Sequence, residues 1–318
     1  MPRVLKRATV LGKIETTEGT DATPAAADGF FAMVTPPVPQ QDFYRADVIT
    51  GAGSLLPGAP GARRWEAHVE QLLRGAGSAY GTAVKPKADT LLRACGFAGT
   101  VGTGTGTENW AYTLRSSAFE SATFYEHLDG VRHKLLGARG LPKFTFRFGG
   151  PASIVAELRS MWDDPSDQST VIPTGEPTVG YPVMLASSFQ IGTANYPAKH
   201  AQIDLDIGRT ITPRQDATQA NGYGGMEMLP NRAPVLTFEG EATTEGAFPF
   251  WANMKAGTQM DCSFQIGATQ YNRVLVNIPV LQFEKLEYGD RGGIMTYKAT
   301  CLLVSPSGVD DEITITFS

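Results

Sequence analysis

From Lys143 to Phe148 the chain alternates: Phe144, Phe146 and Phe148 fall on one side of an extended backbone, Lys143, Thr145 and Arg147 on the other. A two-residue period is that of a strand with one buried face. The same period runs through residues 201–207, with Ile203, Leu205 and Ile207 against Gln202, Asp204 and Asp206. It returns at the end of the chain, where Ile313, Ile315 and Phe317 alternate with Thr314, Thr316 and Ser318. That last strand is expected to be pinned into a sheet rather than fraying. β-rich runs at 120–126 and 131–136 flank Leu128-Asp129-Gly130. Asp and Gly tolerate the positive φ of a tight turn, so a hairpin is predicted there. Gly137-Ala138-Arg139-Gly140 predicts a second turn. Further strands are predicted at 153–162, 184–191, 273–278, 280–288 and 294–304, with Asp290-Arg291-Gly292-Gly293 joining the last two.

Helical periodicity is scarce. One short helix is predicted over 86–95, where Pro86 suits a first turn, Leu91 and Leu92 form an apolar face and Gly96 can cap the end. A second is predicted over 250–256, stopping at Gly257. Three stretches lack periodicity: 36–60, 208–230 and the Pro- and Gly-rich 163–182. The last reads as a connector, dividing the chain into domains at 1–163 and 183–318 with a linker at 164–182. The two halves echo each other. Gly51, Leu56-Pro57 and Glu66 recur at one constant spacing as Gly224, Leu229-Pro230 and Glu239, and a short apolar helix follows in each half. Two copies of one β-rich unit imply like surfaces within one chain, able to fill two equivalent places in a ring. The stretches 36–60 and 208–230 hold corresponding places in the repeat. They read either as mobile surface loops or as arms reaching neighbouring subunits.

Length and composition narrow the picture. The chain has 318 residues, of which 42% are hydrophobic and only 19% charged. That suffices for two domains, and a surface poor in charge suggests self-association. The net charge of −5 argues against a dedicated nucleic-acid binder. No apolar run approaches the length of a membrane span, so no membrane insertion is expected. Cys95, Cys262 and Cys301 form no paired motif and read as buried, reduced thiols.

Candidate chemistry is thin. The Gly-Thr run from Gly99 to Thr107 lacks the Lys-Ser/Thr end of a phosphate loop and reads as a flexible loop. Glu126, His127, Asp129 and His133 could be drawn as a metal cluster, but a surface hairpin with mixed polar residues is the better reading. The four histidines have no zinc spacing, and there is no nucleophile elbow. Asp163-Asp164 and Asp310-Asp311-Glu312 read as solvated loop charge. Trp65, Trp110, Trp162 and Trp251 read as core or interface anchors. No catalytic residue, cofactor or metal is expected.

Taken in order, several motifs resemble one family, the tail tube proteins of long-tailed bacteriophages (siphophages) in their duplicated-domain version. The opening Glu15-Thr16-Thr17-Glu18-Gly19-Thr20-Asp21-Ala22-Thr23-Pro24 resembles that family's start, with Glu18 in place of an aromatic. Leu91-Leu92-Arg93-Ala94-Cys95-Gly96 resembles its helix end, and Gly137-Ala138-Arg139-Gly140 its turn. The likeness covers about residues 11–162; the second half lacks such a turn. The resemblance implies a mainly β fold of two tandem sandwich or barrel-like domains, each with one short helix, whose strands join neighbouring subunits into a hollow tube. It implies a structural virion protein of the phage tail, not an enzyme, assembled in the bacterial host cytoplasm. Homotrimeric, pseudo-hexameric rings would stack, double-stranded DNA would pass through the lumen, and the tape measure, terminator and distal tail proteins would be partners. Candidate assembly contacts are Tyr44, Leu55 and Leu56 in the first arm, Asp129 and Arg139 at the hairpin and turn, Ile172 and Tyr181 in the linker, and Ile211, Tyr223, Met226 and Met228 in the second arm. The competing expectation is a tail or baseplate module that binds or hydrolyses carbohydrate, suggested by Tyr44, Tyr80 and Tyr223 in loops.

Overall fold

The computed structural model describes residues 5–318 apart from 47, 49–53, 55, 105, 186, 188 and 193–199, so Gly51 of the repeat and the candidate Leu55 lie outside the described residues. The fold is mainly β. The first half carries β1 (Ala8–Ile14), β2 (Gly29–Phe30), β3 (Met33–Tyr44), β4 (Ala59–Leu72), α1 (Asp89–Ala94), β5 (Phe97–Gly102), β6 (Asn109–Leu114), β7 (Ala122–Leu128), β8 (Val131–Arg147), β9 (Ser153–Met161) and β10 (Ser166–Asp167). The second carries β11 (Phe189–Ile191), β12 (His200–Asp206), β13 (Ile211–Gln215), β14 (Tyr223–Met228), β15 (Val235–Glu241), α2 (Phe250–Ala256), β16 (Met260–Ile266), β17 (Val274–Arg291), β18 (Ile294–Leu303) and β19 (Thr314–Phe317).

The pairing pattern occurs twice. In the first half it runs β1–β7–β8–β9–β4–β3, with β10 laid on the start of β8. In the second it runs β11–β16–β17–β18–β15–β12, with β19 laid on the start of β17. Every pair is antiparallel, and each short helix follows the strand that closes the long arm, β4 or β15. What differs is added on. The first half has β2 on β1 and the hairpin β5–β6; the second has the hairpin β13–β14. Two ladders cross between halves, β12 on β8 and β19 on β6. Buried residues of both halves form one contiguous core, in which Phe144 and Phe146 of β8 meet Phe264 of β16 through a ring contact of Phe146.

The long strands β8 and β17 each serve two partners in succession. β8 leaves β7 and takes up β9 across a register shift between Leu136 and Arg139. Gly137 sits in that shift with φ of 59°, and a side chain there would press Met161. The predicted Gly-Ala-Arg-Gly turn is therefore a bulge inside a strand, a device that uses the same glycine conformation as a turn but keeps the chain running. β17 changes from β16 to β18 around Pro279, so the two runs predicted at 273–278 and 280–288 are one strand.

Other expectations are corrected by the same logic. The stretches 36–60 and 208–230 are not irregular: the first holds most of β3 and the start of β4, the second the hairpin β13–β14. Proline misleads here because an edge strand tolerates it. Gly99 to Gly102 belong to β5 rather than to a flexible loop. Phe148 lies past the end of β8 and is exposed, out of line with Phe144 and Phe146. Of the strand predicted at 184–191, the described residues form a strand at Phe189–Ile191. The hairpin at Asp129-Gly130 forms as predicted, both residues at positive φ. α2 spans the predicted residues and ends at left-handed Gly257. The C-terminal strand is pinned on both edges, by β17 and β6. The connector runs along the first half: Thr9 Oγ1 donates to the Val171 carbonyl at 2.8 Å, the Thr174 amide to the Ala26 carbonyl at 2.8 Å, and Arg74 grips Glu176.

Candidate assembly surfaces

The two motifs that open the chain and interrupt β8 meet in space. Glu15 is a buried carboxylate that accepts four hydrogen bonds, from Gly19 N at 2.8 Å, Ser121 Oγ at 2.7 Å, Thr123 Oγ1 at 2.7 Å and Gly137 N at 2.8 Å. It thereby fixes the bulge of β8 against the N-terminal loop, and full satisfaction is what allows a charge to sit there. Asp21 accepts from Tyr125 Oη at 2.6 Å and pairs with Lys134 at 3.0 Å. Glu18 pairs with Arg139, both guanidinium Nη atoms lying 3.2 Å from its oxygens.

Arg139 continues into the second half. It donates to the Met226 carbonyl, and Met226 N donates to Glu18 Oε1 at 3.1 Å. This node fastens the β13–β14 hairpin onto β8, β9 and β4. Around it Ile211, Tyr223, Met226 and Met228 bury against Ala62, Phe119, Leu141 and Met161 as a separate small core. Arg159 Nη1 donates to the Ile211 carbonyl at 2.6 Å, Arg63 N to the Asn221 carbonyl at 3.0 Å, and Asn221 Nδ2 to the Trp162 carbonyl at 2.9 Å. The arm of the second half is thus clasped to the first half of its own chain.

Beside the clasp runs the β8–β12 ladder. It pairs Phe144 with Leu205 and Phe146 with Ile203 on the core side. On the outer side Thr145 Oγ1 donates to Asp204 at 2.9 Å, and Lys143 lies 4.0 Å from Asp206. Register is set by both faces at once, because a one-residue slip would exchange them.

The counterparts of these two strands are open. β3 corresponds to β12, and among the described residues β3 pairs with β4 alone. β17 corresponds to β8, and from Gln282 to Arg291 its described pairing is with β18 alone. Apolar exposure collects at the same places. Phe31, Met33, Val38, Phe43, Tyr44, Val48 and Leu56 are exposed on or next to the β3–β4 arm, Phe43 at 60% and Tyr44 at 68%. Tyr288, Ile294 and Met295 are exposed where β17 turns into β18.

The candidate contacts divide accordingly. Tyr44 and Leu56 are exposed on the first arm, and Ile172 is exposed on the connector. Tyr181 is half-buried under the Arg74 guanidinium, 4.8 Å from its ring centre. Asp129 sits in its turn 3.3 Å from Arg7. Arg139, Ile211, Tyr223, Met226 and Met228 are buried within the chain, so in this fold they make an internal joint and offer no free surface. The reason is that the second arm folds back. Tyr80 is also buried, which leaves Tyr44 as the one exposed ring of the three that suggested a carbohydrate surface.

Sequence reasoning missed Glu126 and His127. They are not on a surface hairpin: β7 is covered on both faces, and both side chains are inside it. Neither oxygen of Glu126 has a hydrogen-bond partner, and burial pushes its carboxyl up to about 8. His127 is lowered, by burial first and then by the charge of Arg132. The unbroken run of buried positions in β7 means that both faces of the strand are packed over, which no local pattern carries. The three cysteines are free and buried, and burial raises each thiol. Among the described residues no cluster of His, Cys, Asp or Glu could hold a metal ion. Two clefts of about 580 Å³ each lie beside α1 and beside α2. No helix among the described residues is long and apolar enough to cross a membrane.

No protein-family model and no curated protein matches this chain.

Proposed function

We propose that this chain is the subunit of a self-assembling hollow tube, the major tail tube protein of a long-tailed phage. The observation that carries the reading is the repeated pairing pattern, in which β12 of the second half pairs with β8 of the first, while the matching edges β3 and β17 have no such partner among the described residues. An open edge is a liability that soluble monomers blunt or cover. Here the apolar side chains crowd the open edges rather than avoiding them. A surface that pairs head to tail with its own complement builds rings when the rotation closes and filaments when it does not. The resemblance of the motifs at Glu15–Pro24 and Gly137–Gly140 supplies the class of tube. Three two-unit chains per ring, ring stacking and passage of DNA through an acidic, non-gripping lumen belong to the same proposal, consistent with a net charge of −5.

The test is direct. Purified protein, concentrated stepwise, is followed by analytical ultracentrifugation and negative-stain microscopy. Rings or rods of uniform width are expected. A protein that stays monomeric at every concentration, and binds a saturable glycan, would overturn the proposal.

A further inference from the structure

The geometry points to a specific joint between copies: the outer edge of β3 in one copy adds to the outer edge of β17, from Gln282 to Asp290, in the next, as β12 adds to β8 within the chain. This rests on the self-assembly reading above and goes beyond it by naming the two edges. The argument is the correspondence of strands. β12 lies between β15 and β8, whereas among the described residues β3 has the first of the two equivalent neighbours, β4, and not the second. β8 lies between β9 and β12 along Lys143–Thr145, whereas among the described residues the second part of β17 pairs with β18 alone. The partner each lacks is the other's type. Within one chain the two cannot meet as β12 and β8 do, because the β8–β12 ladder already joins the halves on that side. A second copy brings them together, and the pairing is heterologous: one copy offers β3, its neighbour β17.

The flanking chemistry agrees. The intrachain joint carries an arm alongside its ladder, the clasped β13–β14 hairpin. The open joint has its own arm, the β3–β4 ribbon with Phe43 and Tyr44 exposed near its tip. The second half carries exposed Tyr288, Ile294 and Met295 at the turn from β17 into β18. Pro36 and Pro37 fall in the β3 register shift between Thr35 and Val38, and Pro39 follows just beyond it, so the strand offers donors on either side of this stretch, and indiscriminate pairing is discouraged.

The test uses the full-length chain with Gln41→Cys and Lys285→Cys, both exposed positions on the two edges. The native thiols are buried, so a short bis-maleimide reads only the new pair. Under conditions where sedimentation shows assembly, the double variant is expected to give a ladder of covalent multiples on a denaturing gel. Each single variant is expected to give monomer only, because a heterologous joint never sets like against like. Assembly without a ladder in the double variant overturns the edge assignment and leaves self-assembly standing, as does a dimer from either single variant. A chain that never assembles overturns both.

Discussion

Two buried glutamates in the first half show how differently one residue type can be handled. Glu15 has four donors around it and sits at the bulge that shapes β8. Glu126, on β7, has none, and its carboxyl is raised from 4.5 to about 8 by burial alone. A raised acid favours the folded state while it is protonated. Its contribution is complete below pH 4.5, where the unfolded chain is protonated too, and is lost as pH rises through 8. The shift corresponds to a loss on the order of 3–5 kcal/mol across that window. Thermal unfolding of the wild-type protein should therefore weaken between pH 5 and pH 9. In Glu126→Gln the slope should largely vanish, because an amide does not titrate; a wild-type slope retained in the variant would place the titrating group elsewhere. Arg139 is the opposite case, a cation held by Glu18 and by the carbonyls of Met226 and Phe119. Arg139→Ala would take the cation from Glu18, which keeps the Met226 amide, and is expected to cost about 3 kcal/mol in chemical denaturation. Arg139→Lys should recover only part, because a single ammonium cannot reproduce the planar fork.

At the scale of elements, the clasp β13–β14 converts a stretch that looks like a loop into a joint. Its four buried side chains pack against Ala62, Phe119, Leu141 and Met161 of the first half. Met226→Ala is expected to destabilise the whole chain by about 2–5 kcal/mol, the range for emptying a core position. It should also raise protease cutting in the exposed turn 216–221 between the two strands. A neutral result would mean that the hairpin is docked by its polar bonds alone. This element marks the limit of what the sequence could show. The alternation at Lys143–Arg147, 202–206 and Ile313–Phe317 was legible because one face of each strand meets the core and the other does not. The hairpin at Asp129-Gly130 was legible because positive φ restricts the residues allowed. The arms were not, since Pro36, Pro37, Pro39 and Pro213 belong to strands whose open edges need no amide donor. Nor was the burial of Ile211 and Met228, which depends on a partner far away in the chain, nor that of Glu126, whose polar character points the wrong way. The echo between halves was legible as a few shared residues; its substance is the repeated pairing order, which no local pattern carries.

For the whole molecule, the first arm stands apart from the contacts that hold the chain together. The core and the clasp close within the chain, whereas the first arm contributes little to either. Phe43 and Tyr44 are mostly exposed, so replacing them removes few internal contacts. Phe43→Ser with Tyr44→Ser should change the unfolding free energy by no more than about 0.5 kcal/mol, the usual scale for surface positions. In a tube subunit the same change should abolish or sharply weaken polymerisation, because aromatic anchors concentrate the energy of an interface. Tyr288→Ser with Met295→Ser, on the opposite edge, should do likewise. Mixing separates the two sets. Each variant keeps one intact edge, so equal amounts of the two should form a single productive joint and stop at a pair, measurable by sedimentation. If either variant alone still makes rods like the wild type, assembly runs through other surfaces. If both unfold together with losing assembly, these side chains belong to the core and the division between stability and assembly fails.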